Sequence, residues 1–176
     1  MTLCFAYGSN LNIAQMAQRC PAAEPLYRLR LQGWRLVFRG VADCIQEEGA
    51  VCYGGVWRIT PACERALDAY EAVASGMYRR VFLKLKQPSL GEARMLIYCM
   101  NSTGIMPPSE YYLDVIREGY RDFSMPRAAH TMLNRAVRDA WDDKAPSPVE
   151  RHRYHRTGRP RLAARPPLPA MPATGS

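Results

Sequence analysis

Near its start the chain reads Leu3-Cys4-Phe5-Ala6-Tyr7-Gly8-Ser9-Asn10-Leu11, and the reading of this stretch governs the rest. Residues 3–7 are a short apolar run with two aromatics, suited to a buried strand. Gly8, Ser9 and Asn10 end it with three turn-forming residues. Beyond them Leu11, Ile13, Met16 and Ala17 recur at near-helical spacing as far as Pro21. The expectation is strand, tight turn, helix.

Residues 26–31, 34–38 and 50–59 show alternation or β-branched and aromatic enrichment, and Gly33, Gly40, Gly49, Gly54 and Gly55 interrupt them. They read as separate strands joined by short turns, with Gly54-Gly55 as a candidate bulge. Thr60-Pro61-Ala62-Cys63-Glu64 starts a helix, with Thr60 as cap and Pro61 in the first turn. Its pattern carries it to about residue 74, with a stop at Gly76. Residues 78–86 and 92–100 form a hairpin around a turn at 88–91. Pro107-Pro108-Ser109 caps a helix over about 110–121, and Met125-Pro126 opens another that reaches about Trp141. Strands dominate the first hundred residues and helices are inserted and then appended, with neither strand-helix alternation nor internal repeat. This predicts an α+β fold around a mixed or antiparallel sheet.

The length of 176 residues, 48% hydrophobic and 23% charged, suits one core. The expected organisation is one domain over residues 1–144 and a mobile Pro/Arg-rich tail over 145–176. The tail holds seven of the fourteen prolines and six arginines against one glutamate, so it carries +5 of the net +8. With Tyr154 as its only aromatic, it lacks the stacking residues of a single-strand platform, which argues against nucleic acid as a partner. No apolar run approaches the roughly 18 residues that span a bilayer, and the N-terminus carries no export signal. A cytoplasmic protein with no membrane partner, monomeric or homodimeric, is expected. The six cysteines contain no C-x-x-C pair and read as buried hydrophobes in a reducing compartment. His152 and His155 are an i, i+3 pair without a Cys or carboxylate cluster beside them, so no metal is expected.

Three constellations could carry chemistry. The turn from Tyr7 to Leu11 offers backbone N–H groups to an anion, or is simply a turn with Ser9 or Asn10 as helix cap. It is too short for a P-loop, and no GK[ST] follows it. In the second constellation Leu67, Tyr70, Glu71 and Ala74 share a helical face. Glu71 therefore projects on the apolar side, either as a proton-transfer group or as the partner of Arg79, Arg80 or a tyrosine. In the third, Tyr112 shares a stripe with Val115, Ile116 and Gly119, which directs its ring inward and leaves its hydroxyl for a ligand or a buried polar group. No Ser-His-Asp or Cys-His set is evident.

Taken together, Phe5-Ala6-Tyr7-Gly8-Ser9-Asn10-Leu11, Gly54-Gly55-Val56-Trp57, Leu67-Asp68 with Glu71 and Val73, Ser75-Gly76-Met77-Tyr78, and Pro108-Ser109 with Tyr112 and Ile116 resemble the gamma-glutamylcyclotransferase-like superfamily. The branch is the AIG2-like one with the YGSNL motif, and order and spacing agree over residues 3–126. The resemblance implies a six-stranded β-barrel-like core with flanking helices and a cofactor-independent enzyme. Its reaction would convert a γ-glutamyl amino acid or γ-glutamyl amine to 5-oxoproline and a free amino acid or amine. It implies Glu71 as the catalytic acid/base, and Phe5, Ala6, Tyr7, Gly8, Ser9, Asn10, Leu11 and Tyr112 as substrate-binding residues. One departure is Ala72, where family members commonly carry Gly after the glutamate. That departure allows the alternative of a ligand-binding module without turnover.

Overall fold

The computed structural model describes residues 2–87 and 91–142. Their elements, in chain order, are β1 (Thr2–Ala6), a 3₁₀ turn (Ser9–Leu11), α1 (Ile13–Arg19), β2 (Glu24–Arg39), β3 (Val41–Ile59), α2 (Pro61–Tyr70), β4 (Tyr78–Gln87), β5 (Gly91–Met100), α3 (Glu110–Asp122) and α4 (Arg127–Asp142). This is the expected α+β class. Five strands form one sheet in the order β2-β3-β1-β5-β4. All neighbours are antiparallel except β1 and β5, which run parallel with Leu3 opposite Met95. The expected boundary near residues 143–146, the tail and residues 88–90 of the hairpin turn lie outside the described residues.

The strand count among these residues is five where the resemblance implied six. The runs 26–31 and 34–38 are one strand, because Gly33, at φ +74, passes through a register shift between Gln32 and Trp34 without ending the pairing. Residues 41–46, which the alternation pattern left unassigned, pair with 34–39 and extend the expected strand at 50–59 backward to Val41. The double glycine is not a bulge, since Gly54 and Gly55 stay in register opposite Leu29 and Arg28. They are small for packing reasons. A Cβ on Gly54 would lie 2.3 Å from the Ala6 carbonyl oxygen, and one on Gly55 would lie 2.4 Å from the Phe123 ring.

The helices close the sheet with apolar faces at 3.6-residue spacing. Along α4 the buried positions are Ala129, Leu133, Ala136 and Ala140, and along α3 they include Tyr112, Val115, Ile116, Gly119 and Tyr120. Gly119 lets α3 approach the first turn, because a Cβ there would stand 2.5 Å from that of Leu11. Both expected caps form, Thr60 accepting from the Cys63 amide and Ser109 from that of Tyr112. One helix end differs from expectation: α2 stops at Tyr70, not near residue 74. The Val73 amide reaches back to the Asp68 carbonyl at 2.9 Å and the Ala72 amide to that of Ala69 at 3.2 Å, a Schellman motif with Ala72 in the left-handed region at φ +51. The same closure ends α3, with Ser124 at φ +49. Glycine is the usual signal for this closure, and neither site has one. No helix among the described residues is long and apolar enough to cross a membrane.

Candidate active site

The first turn and the end of α2 meet. The helix cap that the sequence offered to Ser9 or Asn10 belongs to Asn12, whose side chain accepts from the Gln15 amide at 3.0 Å. Asn10 is thereby released from capping, and its Nδ2 donates to Glu71 Oε1 at 2.8 Å. Glu71 is the C-cap residue of α2 and is 8% exposed. The Schellman closure turns the chain away immediately behind it, which fixes where its side chain leaves the helix.

A cavity of about 30 Å³ lies at this junction, its walls supplied by β1, the turn, the start of β3, the end of α2, Tyr78, Tyr98 and Tyr112. Of the residues expected from the sequence, Phe5, Ala6, Tyr7, Gly8, Ser9, Asn10, Glu71 and Tyr112 line it. Leu11 does not. Its side chain is fully buried against Gly119, so it supports the turn from behind. Ala72 is also absent from the lining. Its methyl group meets the fold as backbone strain, not as a narrowed approach to the cavity.

Among the described lining residues Glu71 is the one carboxylate, and hydroxyls surround it. Tyr112 accepts from the Ala42 amide at 3.1 Å. Burial pushes its phenol well up, hydrogen bonds from the Ala42 and Ser9 backbone hold it back in part, and the Glu71 charge raises it further. Tyr7 donates to the Tyr98 carbonyl and Tyr78 to that of Ala42. Tyr98 donates to Asp68 at 2.8 Å, and burial followed by that bond moves its phenol up as well. Cys4 forms part of the wall, its thiol pushed up first by burial and then by Glu71. It stays protonated at neutral pH and is no nucleophile. The site therefore offers one carboxylate for proton transfer in a wall of neutral donors. No cluster of three or more metal-ligating side chains occurs among the described residues.

Sequence reasoning missed Cys4, Val41, Ala42, Tyr70, Tyr78 and Tyr98 as lining residues. Tyr98 and Cys4 lie on neighbouring sheet strands, and only the parallel pairing of β1 with β5, Cys4 opposite Leu96, brings them together. Arg19 was missed too. It donates to Asn10 Oδ1 at 2.8 Å and to the Tyr70 hydroxyl at 2.7 Å. Its periodic place at the end of α1 gave no hint of that.

The AIG2-like family model matches residues 51–133. The curated gamma-glutamylcyclotransferase of Homo sapiens is 31% identical over 136 residues, covering 70% of this chain and 72% of the relative. That of Mus musculus is 31% identical over 137 residues, covering 71% and 73%. A solved structure described as a gamma-glutamyl cyclotransferase superposes with a TM-score of 0.64 at 26% identity, covering 85% of this chain and 90% of that one. With relatives above 30% identity spanning more than two thirds of both chains, and with the shared fold, the chain belongs to the gamma-glutamylcyclotransferase-like superfamily of enzymes, alongside AIG2-like proteins.

Proposed function

We propose that this protein is a γ-glutamylcyclotransferase acting on a small γ-glutamyl amino acid or γ-glutamyl amine. The observation that carries the reading is the buried Glu71 carboxylate, held 2.8 Å from Asn10 at the mouth of the first turn. In the proposed reaction Glu71 takes a proton from the substrate α-amino group, whose nitrogen attacks the γ-carbonyl carbon. The new C–N bond closes the five-membered ring. The bond from that carbon to the leaving nitrogen then breaks, and Glu71 returns the proton to the departing amine. Atoms balance without water, and the products are 5-oxoproline and the free amine.

Such a closure needs positioning above all, since well-oriented intramolecular attack reaches effective molarities of about 10⁵–10⁸ M. The turn's own bonds use the amides of Leu11 and Asn12. Those of Gly8 and Asn10 are assigned to the substrate α-carboxylate and to the developing oxyanion. Tyr112, kept protonated by burial, lies against the same turn, its hydroxyl 2.8 Å from where a Cβ on Gly8 would stand. The neutral wall favours this arrangement over a covalent route. Among the described hydrogen bonds of this wall, the one from a hydroxyl to a carboxylate is Tyr98 to Asp68, and burial keeps the Tyr98 phenol protonated as it does the Cys4 thiol, so neither is an activated nucleophile.

The test is release of 5-oxoproline from a panel of γ-glutamyl amino acids, γ-glutamyl amines and glutathione, with wild type and Glu71→Gln side by side. Glutamine keeps an acceptor for Asn10 and cannot take the proton. Turnover by wild type with a loss of at least about a hundredfold in the variant is expected. Turnover that survives the substitution would remove Glu71 from the mechanism, and a folded wild type inactive on the whole panel would leave the binding-module alternative.

A further inference from the structure

Asn10 has two faces, a carbonyl oxygen that only accepts and an amino group that only donates. Which of them meets Glu71 decides whether the contact favours a carboxylate. Nothing in an isolated asparagine fixes that choice, because a half-turn about its last bond exchanges the two. Here Arg19 fixes it. A guanidinium has donors and no acceptor, so the Asn10 atom that meets Arg19 Nη1 at 2.8 Å must be Oδ1. The amino group is then left to face Glu71 Oε1 at 2.8 Å.

Arg19 is itself held on three sides. Its Nη2 donates to Gln15 Oε1 at 2.5 Å and to the Tyr70 hydroxyl at 2.7 Å. Its guanidinium carbon lies 3.7 Å from the centre of the Tyr70 ring. Tyr70 immediately precedes Glu71 in the chain, and its hydroxyl lies 3.3 Å from Ser9 Oγ. The planar fork thus reads the turn through Asn10 and the end of α2 through Tyr70 in a single geometry, which a lysine could not do.

We infer that Arg19 is a positioning residue for the reaction, acting through Asn10: it locks the asparagine amide with its amino group toward Glu71, and so presents the carboxylate in the orientation that accepts the substrate proton. This rests on the reading of Glu71 as the proton acceptor. Arg19 does not line the cavity, so its loss acts on turnover more than on substrate capture. Misplacement of a catalytic group by about 1 Å can cost about a hundredfold in rate.

The experiment uses the full chain and Arg19→Met, with Arg19→Ala as a second variant should the first not fold. Two readouts are taken. By NMR on ¹⁵N-labelled protein, the Asn10 side-chain amide protons exchange slowly with solvent in wild type and at least about tenfold faster in the variant, as expected when a restraining hydrogen-bond partner is lost. By kinetics, the variant loses at least about tenfold in kcat with KM changed less than about threefold, and the loss falls below about twofold in an Asn10→Ala background, as one shared route requires. An Asn10 amide indifferent to Arg19, or kcat losses that multiply in the double variant, would overturn the inference. A wild type that forms no 5-oxoproline would defeat the proposed reaction instead, and the NMR readout would then decide the Arg19–Asn10 lock alone.

Discussion

Replacing Ala72 by glycine should stabilise this protein, although the residue is half-buried and touches nothing in the cavity. Ala72 holds φ +51 as the left-handed residue of the closure that ends α2. Its amide is bonded to the Ala69 carbonyl, and its carbonyl receives the Met77 amide at 3.1 Å. An L-residue with a Cβ loses about 1–2 kcal/mol in that region. Glycine removes the penalty and restores about 0.5–1 kcal/mol of unfolded-chain entropy that folding must overcome. The net gain is about 0.5–1 kcal/mol. For a folded unit of about 140 residues the unfolding entropy is about 0.3 kcal/mol per degree, so Tm should rise by about 2–3 °C. A urea melt should show a higher midpoint at unchanged slope. The control is Ala74→Gly, an exposed position just past the closure and outside the left-handed region. There only the entropy cost applies, and Tm should fall. An unchanged or lowered Tm for Ala72→Gly, or the same shift in both variants, would refute the account of how α2 ends and how Glu71 is aimed.

Other outcomes follow from the packing and from the titrating groups. Gly8→Ala places a methyl 2.8 Å from the Tyr112 hydroxyl and 3.1 Å from Ala42 Cβ. It should cost about 1–3 kcal/mol by overpacking, read by thermal melt, together with a loss of turnover. Tyr112→Phe leaves the buried Ala42 amide without its acceptor and should destabilise by about 1–3 kcal/mol on a denaturant curve. Cys20 and Cys99 are pushed from 9.0 up to about 12, chiefly by burial. The unfolded thiols therefore ionise first, and their contribution to stability is complete below about pH 9 and declines as pH rises toward 12. Melts across that range should show the decline, and Cys→Ser at both positions should make it shallower, the remainder coming from the other buried thiols and phenols that burial also pushes up. Cys63 is the exception. Burial opposes its ionisation, but hydrogen bonds from Thr60, Cys20 and the Ala22 backbone outweigh it and bring the thiol below 9.0. Timed alkylation followed by peptide mass mapping should find Cys63 modified ahead of Cys20 and Cys99.

The parts of this fold that were legible in the sequence are those with a local chemical cause. Thr60 and Ser109 announce their helices because a hydroxyl must meet an orphan amide. Glu71 reads as inward because Leu67 and Tyr70 fix the face. The first turn reads as a turn because Gly8, Ser9 and Asn10 permit little else. Illegible parts have their cause elsewhere in the chain. Gly33 looks like a terminator and is a bulge, since the pairing partners on both sides of it belong to one long strand. Gly54 and Gly55 look like a bulge and are instead sites where Phe5, the Ala6 carbonyl and Phe123 leave no room. The end of α2 was hidden because its left-handed position carries alanine. At the site, the motif residues were readable, whereas Arg19, Tyr78 and Tyr98 acquire their roles only once β5 lies beside β1 and α1 lies beside α2.

The central claim is that the substrate's own α-amino group is the nucleophile and that Glu71 moves its proton. The most direct measurement offers wild type the best γ-glutamyl amine of the panel and its N-acetylated counterpart, and follows amine, 5-oxoproline and glutamate by mass spectrometry. The account predicts equimolar amine and 5-oxoproline from the free substrate and no amine release from the acetylated one. Release of amine with free glutamate, or release from the acetylated compound, would mean that water or an enzyme group attacks the γ-carbonyl, and would contradict it.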